Sequence, residues 1–167
     1  MEPLVGAIAA GNTAILKPSE FTVHTEKVIK DLIEETFDPE YVRVVTGDKT
    51  VTSELINLKF DHIFFTGSTE VGKIVYQAAA KNLVPVTLEL GGKSPAIIDE
   101  TANLKTTANR IVFGKFINAG QTCIAPDYIY IDKKVKDDFI KALIEAINTL
   151  YPKTLENYNK SVNQQHF

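Results

Sequence analysis

Short apolar runs alternate with amphipathic segments along almost the whole chain, and this alternation limits the folds that it can adopt. The apolar runs have the length and composition of buried parallel strands and lie at residues 13–16, 42–47, 62–66, 84–92, 96–98 and 128–131. The segments between them carry apolar residues at helical spacing, at residues 1–11, 22–37, 52–58, 71–79, 104–117 and 135–150. Strands that alternate with helices in this way predict an α/β fold with a mainly parallel sheet.

The composition is that of an ordinary globular protein, with 44% hydrophobic and 23% charged residues. A net charge of -3 without a Lys/Arg cluster gives no reason to expect a nucleic acid partner. The single cysteine excludes an internal disulfide, and His24, His62 and His166 lack the spacing of metal ligands, so we expect no metal. The longest apolar run, at residues 3–10, is far shorter than the ~20 residues of a membrane helix and lacks signal-peptide features. We therefore expect a cytoplasmic protein without a membrane span.

The only cysteine, Cys123, ends a segment of small and amide-bearing residues at 116–123, directly after a predicted helix. Free cysteines are among the most buried residue types and usually act as small hydrophobes. A thiol in a polar setting can instead be a nucleophile. Cys123 alone leaves both interpretations open.

Glu89 is the most unusual acid in the chain, because it lies between Leu88 and Leu90 in an apolar predicted strand. A carboxylate there costs free energy unless it faces a cavity or a partner. Burial raises the pKa of a carboxyl group, which suits a general base near neutral pH. The alternative is a strand with one polar face.

Two further segments follow predicted strands, where α/β proteins gather ligands. The segment GSTEVG at residues 67–72 resembles a phosphate-approach loop, in which Ser68 or Thr69 caps a helix. Its two glycines do not form the usual dinucleotide GxGxxG pattern, so a well-capped turn is an equal alternative. Lys17 and Glu20 are either a solvated surface pair or a pair that holds ribose hydroxyls.

Four segments together resemble the aldehyde dehydrogenase family, in its order and approximate spacing. They are GNTAILKPSE at residues 11–20, FTGSTEVG at 65–72, LELGGKSP at 88–95 and NAGQTC at 118–123. The form AGQTCIAPD is most similar to the branch that acts on fatty and aromatic aldehydes. The resemblance extends over the whole chain and implies a Rossmann-like fold.

The resemblance assigns the chemistry to two residues. Cys123 would attack the aldehyde as a thiolate to give a thiohemiacetal, and loss of hydride to the nicotinamide would leave a thioester. Glu89 would activate the water that hydrolyses this thioester and would help to deprotonate the thiol. An unperturbed thiol, with a pKa near ~8.5, is mostly protonated at neutral pH, so such help has a physical purpose.

The resemblance also implies a nicotinamide cofactor, NAD with NADP as a possibility. A carboxylate at Glu20 favours NAD because it repels a 2′-phosphate, and Lys17 beside it weakens that preference. The resemblance assigns the cofactor-binding residues to three parts of the dinucleotide. The adenosine ribose would be bound by Lys17, Ser19 and Glu20, and the pyrophosphate by Gly67, Ser68 and Gly72. The nicotinamide would contact the backbone of Leu90.

The same resemblance predicts that the chain is an internal fragment. Residues 1–88 would be the C-terminal half of an NAD(P)-binding domain, and residues 89–167 the N-terminal part of a catalytic domain. The family's oxyanion-hole asparagine would lie upstream and the acid that binds the nicotinamide ribose downstream. We therefore expect the isolated chain to be inactive and to expose apolar surface, and the parent enzyme to be a homodimer or homotetramer.

Two alternatives remain beside an aldehyde-oxidising enzyme. One is a non-catalytic nucleotide-binding module that keeps the motifs without the reaction. The other is an acylating relative that passes the thioester to coenzyme A or phosphate. Glu89 argues against the second, because the acylating branches generally lack this water-activating acid.

Overall fold

The computed structural model describes residues 1–152. They divide into two compact units, one up to Leu90 and one from Gly91 on. Residues 153–167, which include His166, lie outside the described residues. The helices are α1 (Glu2–Ala9), α2 (Val23–Thr36), α3 (Lys49–Leu55), α4 (Thr69–Ala80), α5 (Leu104–Phe116) and α6 (Lys136–Leu150). The strands are β1 (Ala14–Leu16), β2 (Val42–Val44), β3 (Ile63–Thr66), β4 (Val86–Glu89), β5 (Ser94–Ile98) and β6 (Pro126–Ile131).

The strands form three parallel pairs, each connected through a helix, so the predicted α/β class with parallel strands is confirmed. The first unit contains β1–α2–β2 and β3–α4–β4. Its first core cluster packs Leu4 of α1 and Ile33 of α2 against Val42 and Val44 of β2. Parallel strands need such a crossover, since a tight hairpin can join only antiparallel neighbours.

The second unit contains β5–α5–β6 followed by α6. Its core packs Ile98 of β5 against Ala108 and Val112 of α5 and Phe139 of α6. The pairing of β5 with β6 is irregular at its start, where Ser94 faces Pro126 and the next residue, Pro95, faces Tyr128.

The predicted helix faces are only partly buried. Ile33 of α2 and Phe139 of α6 are among the most buried side chains. Other residues of the predicted apolar helix faces remain more than half exposed, namely Val28, Ile74 and Ile144. Helices α1, α2, α4 and α5 each contact a two-stranded sheet, which covers only a thin stripe of the helix surface, and α6 packs on α5. The predicted exposure of apolar residues is therefore present among residues 1–152.

Helix α3 begins at Lys49, ahead of its predicted start at residue 52. Asp48 caps it, because its carboxylate accepts a hydrogen bond from the backbone N–H of Thr50 at 2.9 Å. This bond and one to Val51 hold the pKa of Asp48 below its ordinary value. An Asp cap compensates for the poor helix propensity of the β-branched residues that follow. Among residues 1–152, no helix has both the length and the hydropathy needed to cross a membrane.

Helix α4 ends in a Schellman motif with an unusual residue at its left-handed position. The N–H of Val84 donates to the carbonyl of Ala79 at 3.1 Å, and that of Leu83 to Ala80 at 3.2 Å. This places Leu83 at a φ of 55°, where glycine is normally found, with its side chain 91% exposed.

We expect Leu83→Gly to stabilise the chain by about 1 kcal/mol, because glycine relieves the left-handed strain and no buried contact is lost. Thermal unfolding followed by circular dichroism measures this as a rise of a few degrees in Tm. Leu83→Ala is the control, since it removes the same apolar surface and keeps the strain. Equal Tm values for the two variants would contradict the explanation.

Candidate active site

Cys123 is exposed and lies in a tight turn directly before β6. The turn is closed by the N–H of Ala125, which donates to the carbonyl of Thr122 at 3.0 Å. Ala125 is buried and attaches the turn to the second unit. The interpretation of Cys123 as a core filler is therefore wrong, and the thiol is presented to solvent.

Three consecutive residues before the turn have left-handed backbone conformations. The φ angles are 50° at Asn118, 54° at Ala119 and 76° at Gly120. The side-chain nitrogens of Asn118 and Gln121 each donate to the other residue's carbonyl oxygen at 3.2 Å. Left-handed non-glycine residues cost free energy and cluster at functional sites. The sequence predicts only an end to the helix here.

Gly92 makes a close approach to the backbone of Cys123 that the sequence does not predict. A Cβ atom at this position would lie 2.2 Å from the carbonyl oxygen of Cys123, closer than any real contact. At Gly91 the same atom would meet nothing within 4 Å. Two consecutive glycines, Gly91 and Gly92, indicate that another backbone segment passes close to them. In the structure it is Gly92 that lies against the backbone of Cys123.

Glu89 ends β4 and is exposed, so the expectation that it is buried in an apolar strand is wrong for this structure. Among the residues that the structure describes, strand β4 pairs on one side only, with β3, and its residues are partly accessible. The carbonyl oxygen of Glu89 accepts from the N–H of Gly67 at 3.0 Å, which fixes the strand end. The carboxylate is therefore available to solvent.

The N-terminus of α4 has the predicted cap. The hydroxyl of Ser68 accepts from the N–H of Val71 at 3.3 Å, and Gly67 precedes it at the end of β3. Glu70 in the first turn pairs with Lys73 at 3.0 Å. This pairing offsets the negative charge that Glu70 would otherwise place near an anion at the helix end.

Gly72 lies inside α4 rather than in a loop, and it is buried. A Cβ there would come within 2.8 Å of the side chain of Leu90, so this glycine allows the helix to pack closely on Leu90. Leu90 and Leu88 also line an apolar groove of about 310 Å³ beside α4. The segment 67–72 is therefore a capped helix start, in which the N–H of Gly67 already donates to the carbonyl of Glu89.

Lys17 and Glu20 form an ion pair just after β1, with 2.6 Å between Nζ and Oε2. The Lys17 side chain is only 12% exposed. The hydrogen bond from Lys17 is the main cause that lowers the pKa of Glu20. The pair therefore contributes stability above the ordinary pKa of a glutamate, and this is lost as the pH falls through the lowered value. Ser19 lies between them and accepts from the N–H of Phe21 at 3.4 Å.

The predicted site residues are divided between the two units. The first unit brings together Gly67 with Glu89 and Gly72 with Leu90, and it holds the pair of Lys17 with Glu20. Cys123 belongs to the second unit. Within residues 1–152, no group of three or more His, Cys, Asp or Glu side chains could hold a metal ion.

The sequence matches the model of the aldehyde dehydrogenase family over residues 1–161. It is 59% identical over 169 aligned residues to 4,4'-diaponeurosporen-aldehyde dehydrogenase of Staphylococcus aureus, covering 99% of this chain and 37% of that protein. It is 46% identical to mouse aldehyde dehydrogenase, dimeric NADP-preferring, covering 100% of this chain and 38% of the relative. The chain thus spans a little over a third of the length of these relatives.

The fold is also similar to a solved structure, the substrate-bound state of Staphylococcus aureus AldH. The TM-score is 0.86 at 63% identity, and the match covers 90% of this chain and 33% of that one. A family match over nearly the whole chain and a shared fold at high identity agree with the four motifs in their order. The chain therefore belongs to the aldehyde dehydrogenase family.

Proposed function

We propose that this chain forms part of an enzyme that oxidises an aldehyde to a carboxylic acid through a thioester on Cys123. The observation that carries the proposal is the exposed thiol of Cys123, held on a closed turn against Gly92. An exposed thiol on a fixed backbone can reach a carbonyl carbon, which a buried thiol cannot.

In the proposed reaction the Cys123 thiolate adds to the aldehyde carbon to form a thiohemiacetal. A bound nicotinamide would supply the hydride acceptor, and Cys123 would then hold the acyl group as a thioester. Glu89 then takes a proton from water as the water oxygen attacks the thioester carbon, and cleavage of the C–S bond releases the carboxylic acid and the Cys123 thiolate. The exposed carboxylate of Glu89 supports contact with water.

The cofactor-binding residues have the properties that a dinucleotide needs. The capped start of α4 offers the positive end of its helix dipole to a pyrophosphate, and Gly67 and Ser68 lie at this end. Lys17 and Glu20 offer a donor and an acceptor to ribose hydroxyls, with Ser19 beside them. We assign Leu90 to the nicotinamide end, through its backbone.

We propose NAD as the preferred cofactor, because the ionised Glu20 repels a 2′-phosphate. The substrates would be fatty or aromatic aldehydes. The parent enzyme would be a homodimer or homotetramer. The free thiol favours a reducing compartment, the cytoplasm, as the place of the reaction.

A chimera tests the proposal: this chain replaces the matching 169-residue segment of the Staphylococcus aureus relative, of which it covers 37%. We expect the purified chimera to oxidise hexanal or benzaldehyde with NAD, and more slowly with NADP. The isolated chain, tested beside it, should show no turnover. A folded chimera that binds NAD without turnover would favour the nucleotide-binding module instead.

Product analysis separates the acylating alternative. An acylating enzyme would need coenzyme A or phosphate for turnover and would release an acyl thioester or acyl phosphate. The proposed enzyme releases the free acid with water alone. Turnover that depends on coenzyme A would overturn the assignment of Glu89.

A further inference from the structure

An acidic residue outside the proposed chemistry joins the segments on either side of the Cys123 turn. Asp127 lies 3.3 Å from Nζ of Lys93 through Oδ2 and 3.4 Å from Nζ of Lys115 through Oδ1. Its side chain is 29% exposed, the least accessible of the three. One carboxylate thus connects the loop before β5, the end of α5 and the start of β6.

Asp127 has this reach because it is the extra residue of a β-bulge. The strand pairing passes from Ser94 with Pro126 directly to Pro95 with Tyr128, so Asp127 has no partner on β5. A bulge changes the direction in which a side chain points, and bulges are frequent beside active sites. Here the side chain points to both lysines instead of following the alternation of the strand.

Each lysine belongs to a segment that lies close to residues 118–123, the stretch that ends at Cys123. Lys93 directly follows Gly92, which approaches the carbonyl oxygen of Cys123. The carbonyl oxygen of Lys115 lies close to Gly120, because a Cβ atom added at Gly120 would be 2.9 Å from that oxygen. Both lysines therefore belong to segments whose backbone lies close to residues 118–123.

From this arrangement we infer that Asp127 is a positioning residue, which holds the Cys123 turn between the Gly92 segment and the end of α5. The role rests on the proposed function of Cys123, but the fixation itself is independent of any reaction. Lys93, and to a smaller extent Lys115, lower the pKa of Asp127, so the carboxylate is ionised at neutral pH.

Hydrogen–deuterium exchange on the purified chain tests the inference. Asp127→Asn keeps the shape and removes the charge. We expect amide exchange in peptides that cover residues 116–125 to become about fivefold faster, as for the loss of a modest ion-pair network. Peptides from α2, β3 and α6 should exchange as before. Asp127→Glu should restore slow exchange in the turn.

The matched control is Asp138→Asn, which removes an exposed acid that pairs with Lys141 at 2.9 Å within α6. This control should leave amide exchange in residues 116–125 unchanged. Lys93→Met, at a side chain that is 81% exposed, should reproduce part of the effect of Asp127→Asn without threatening the fold. The double variant Asp127→Asn with Lys115→Met should exchange no faster than Asp127→Asn alone, since both substitutions act through one carboxylate.

Unchanged exchange in the turn of Asp127→Asn would overturn the inference. A uniform acceleration over the whole chain, or a failure of Asp127→Glu to restore protection, would overturn it as well, because either shows a general structural role. In the chimera, Asp127→Asn should lower kcat and leave the KM for NAD unchanged. A chimera with no activity in any form would count against the proposed function and leave the exchange result standing.

Discussion

In the chimera with the Staphylococcus aureus relative, Cys123→Ser is expected to lower aldehyde oxidation by about 10,000-fold or more. The replacement keeps the size of the side chain and removes the nucleophile. A serine hydroxyl is a far weaker acid than a thiol and stays protonated, and enzymes that lose their nucleophile show losses of this order or greater. Production of NADH, followed by absorbance with hexanal as substrate, measures the effect.

Glu89→Gln provides the comparison for that variant, because it affects a different step. Without the carboxylate, hydrolysis of the thioester should become slow while acylation continues. Mass spectrometry of the quenched protein should then show an acyl adduct at Cys123 in Glu89→Gln and none in Cys123→Ser. Retained turnover in Cys123→Ser would contradict the role of the thiol, whatever the behaviour of Glu89→Gln.

The second large effect is expected from Gly92→Ala. A methyl group would come within 2.2 Å of the carbonyl oxygen of Cys123, so the backbone at one of the two positions must move. Overpacking of this kind costs about 1–3 kcal/mol in unfolding free energy. A displacement of about 1 Å at a catalytic group can also lower the rate about 100-fold.

Gly91→Ala is the matched control for Gly92→Ala, since its added methyl group would meet nothing within 4 Å. Both variants lose the same backbone freedom. Urea unfolding and the activity of the chimera should therefore separate them clearly. Equal effects of the two substitutions would show that chain flexibility, and not the contact with Cys123, explains the glycine pair.

The order of helices and strands could be predicted from the sequence, because apolar spacing records the local period of each element. Buried positions such as Ile33, Val75 and Phe139 lie on the predicted faces. The width of each buried stripe could not be predicted. It depends on how many strands lie under a helix, which is a property of pairing between distant segments.

The candidate site divides in the same way. The motifs identify Cys123 and the capped start of α4 from residues that are adjacent in sequence. The exposure of Glu89, the packing of Gly72 on Leu90 and the bulge at Asp127 follow from contacts between separate elements. The exposure of Glu89 could not be predicted from its apolar neighbours, since an apolar strand sequence does not imply a strand covered on both sides.

The exposure of the turn at Cys123 also gives the chain a built-in reporter. Because the sequence contains one cysteine and the thiol is accessible, a maleimide fluorophore would attach at a single known position. Its emission would respond to movement of the Gly92 segment and of the turn without any engineered substitution. The same atom that we propose as the nucleophile therefore allows the conformation of its own surroundings to be followed by spectroscopy.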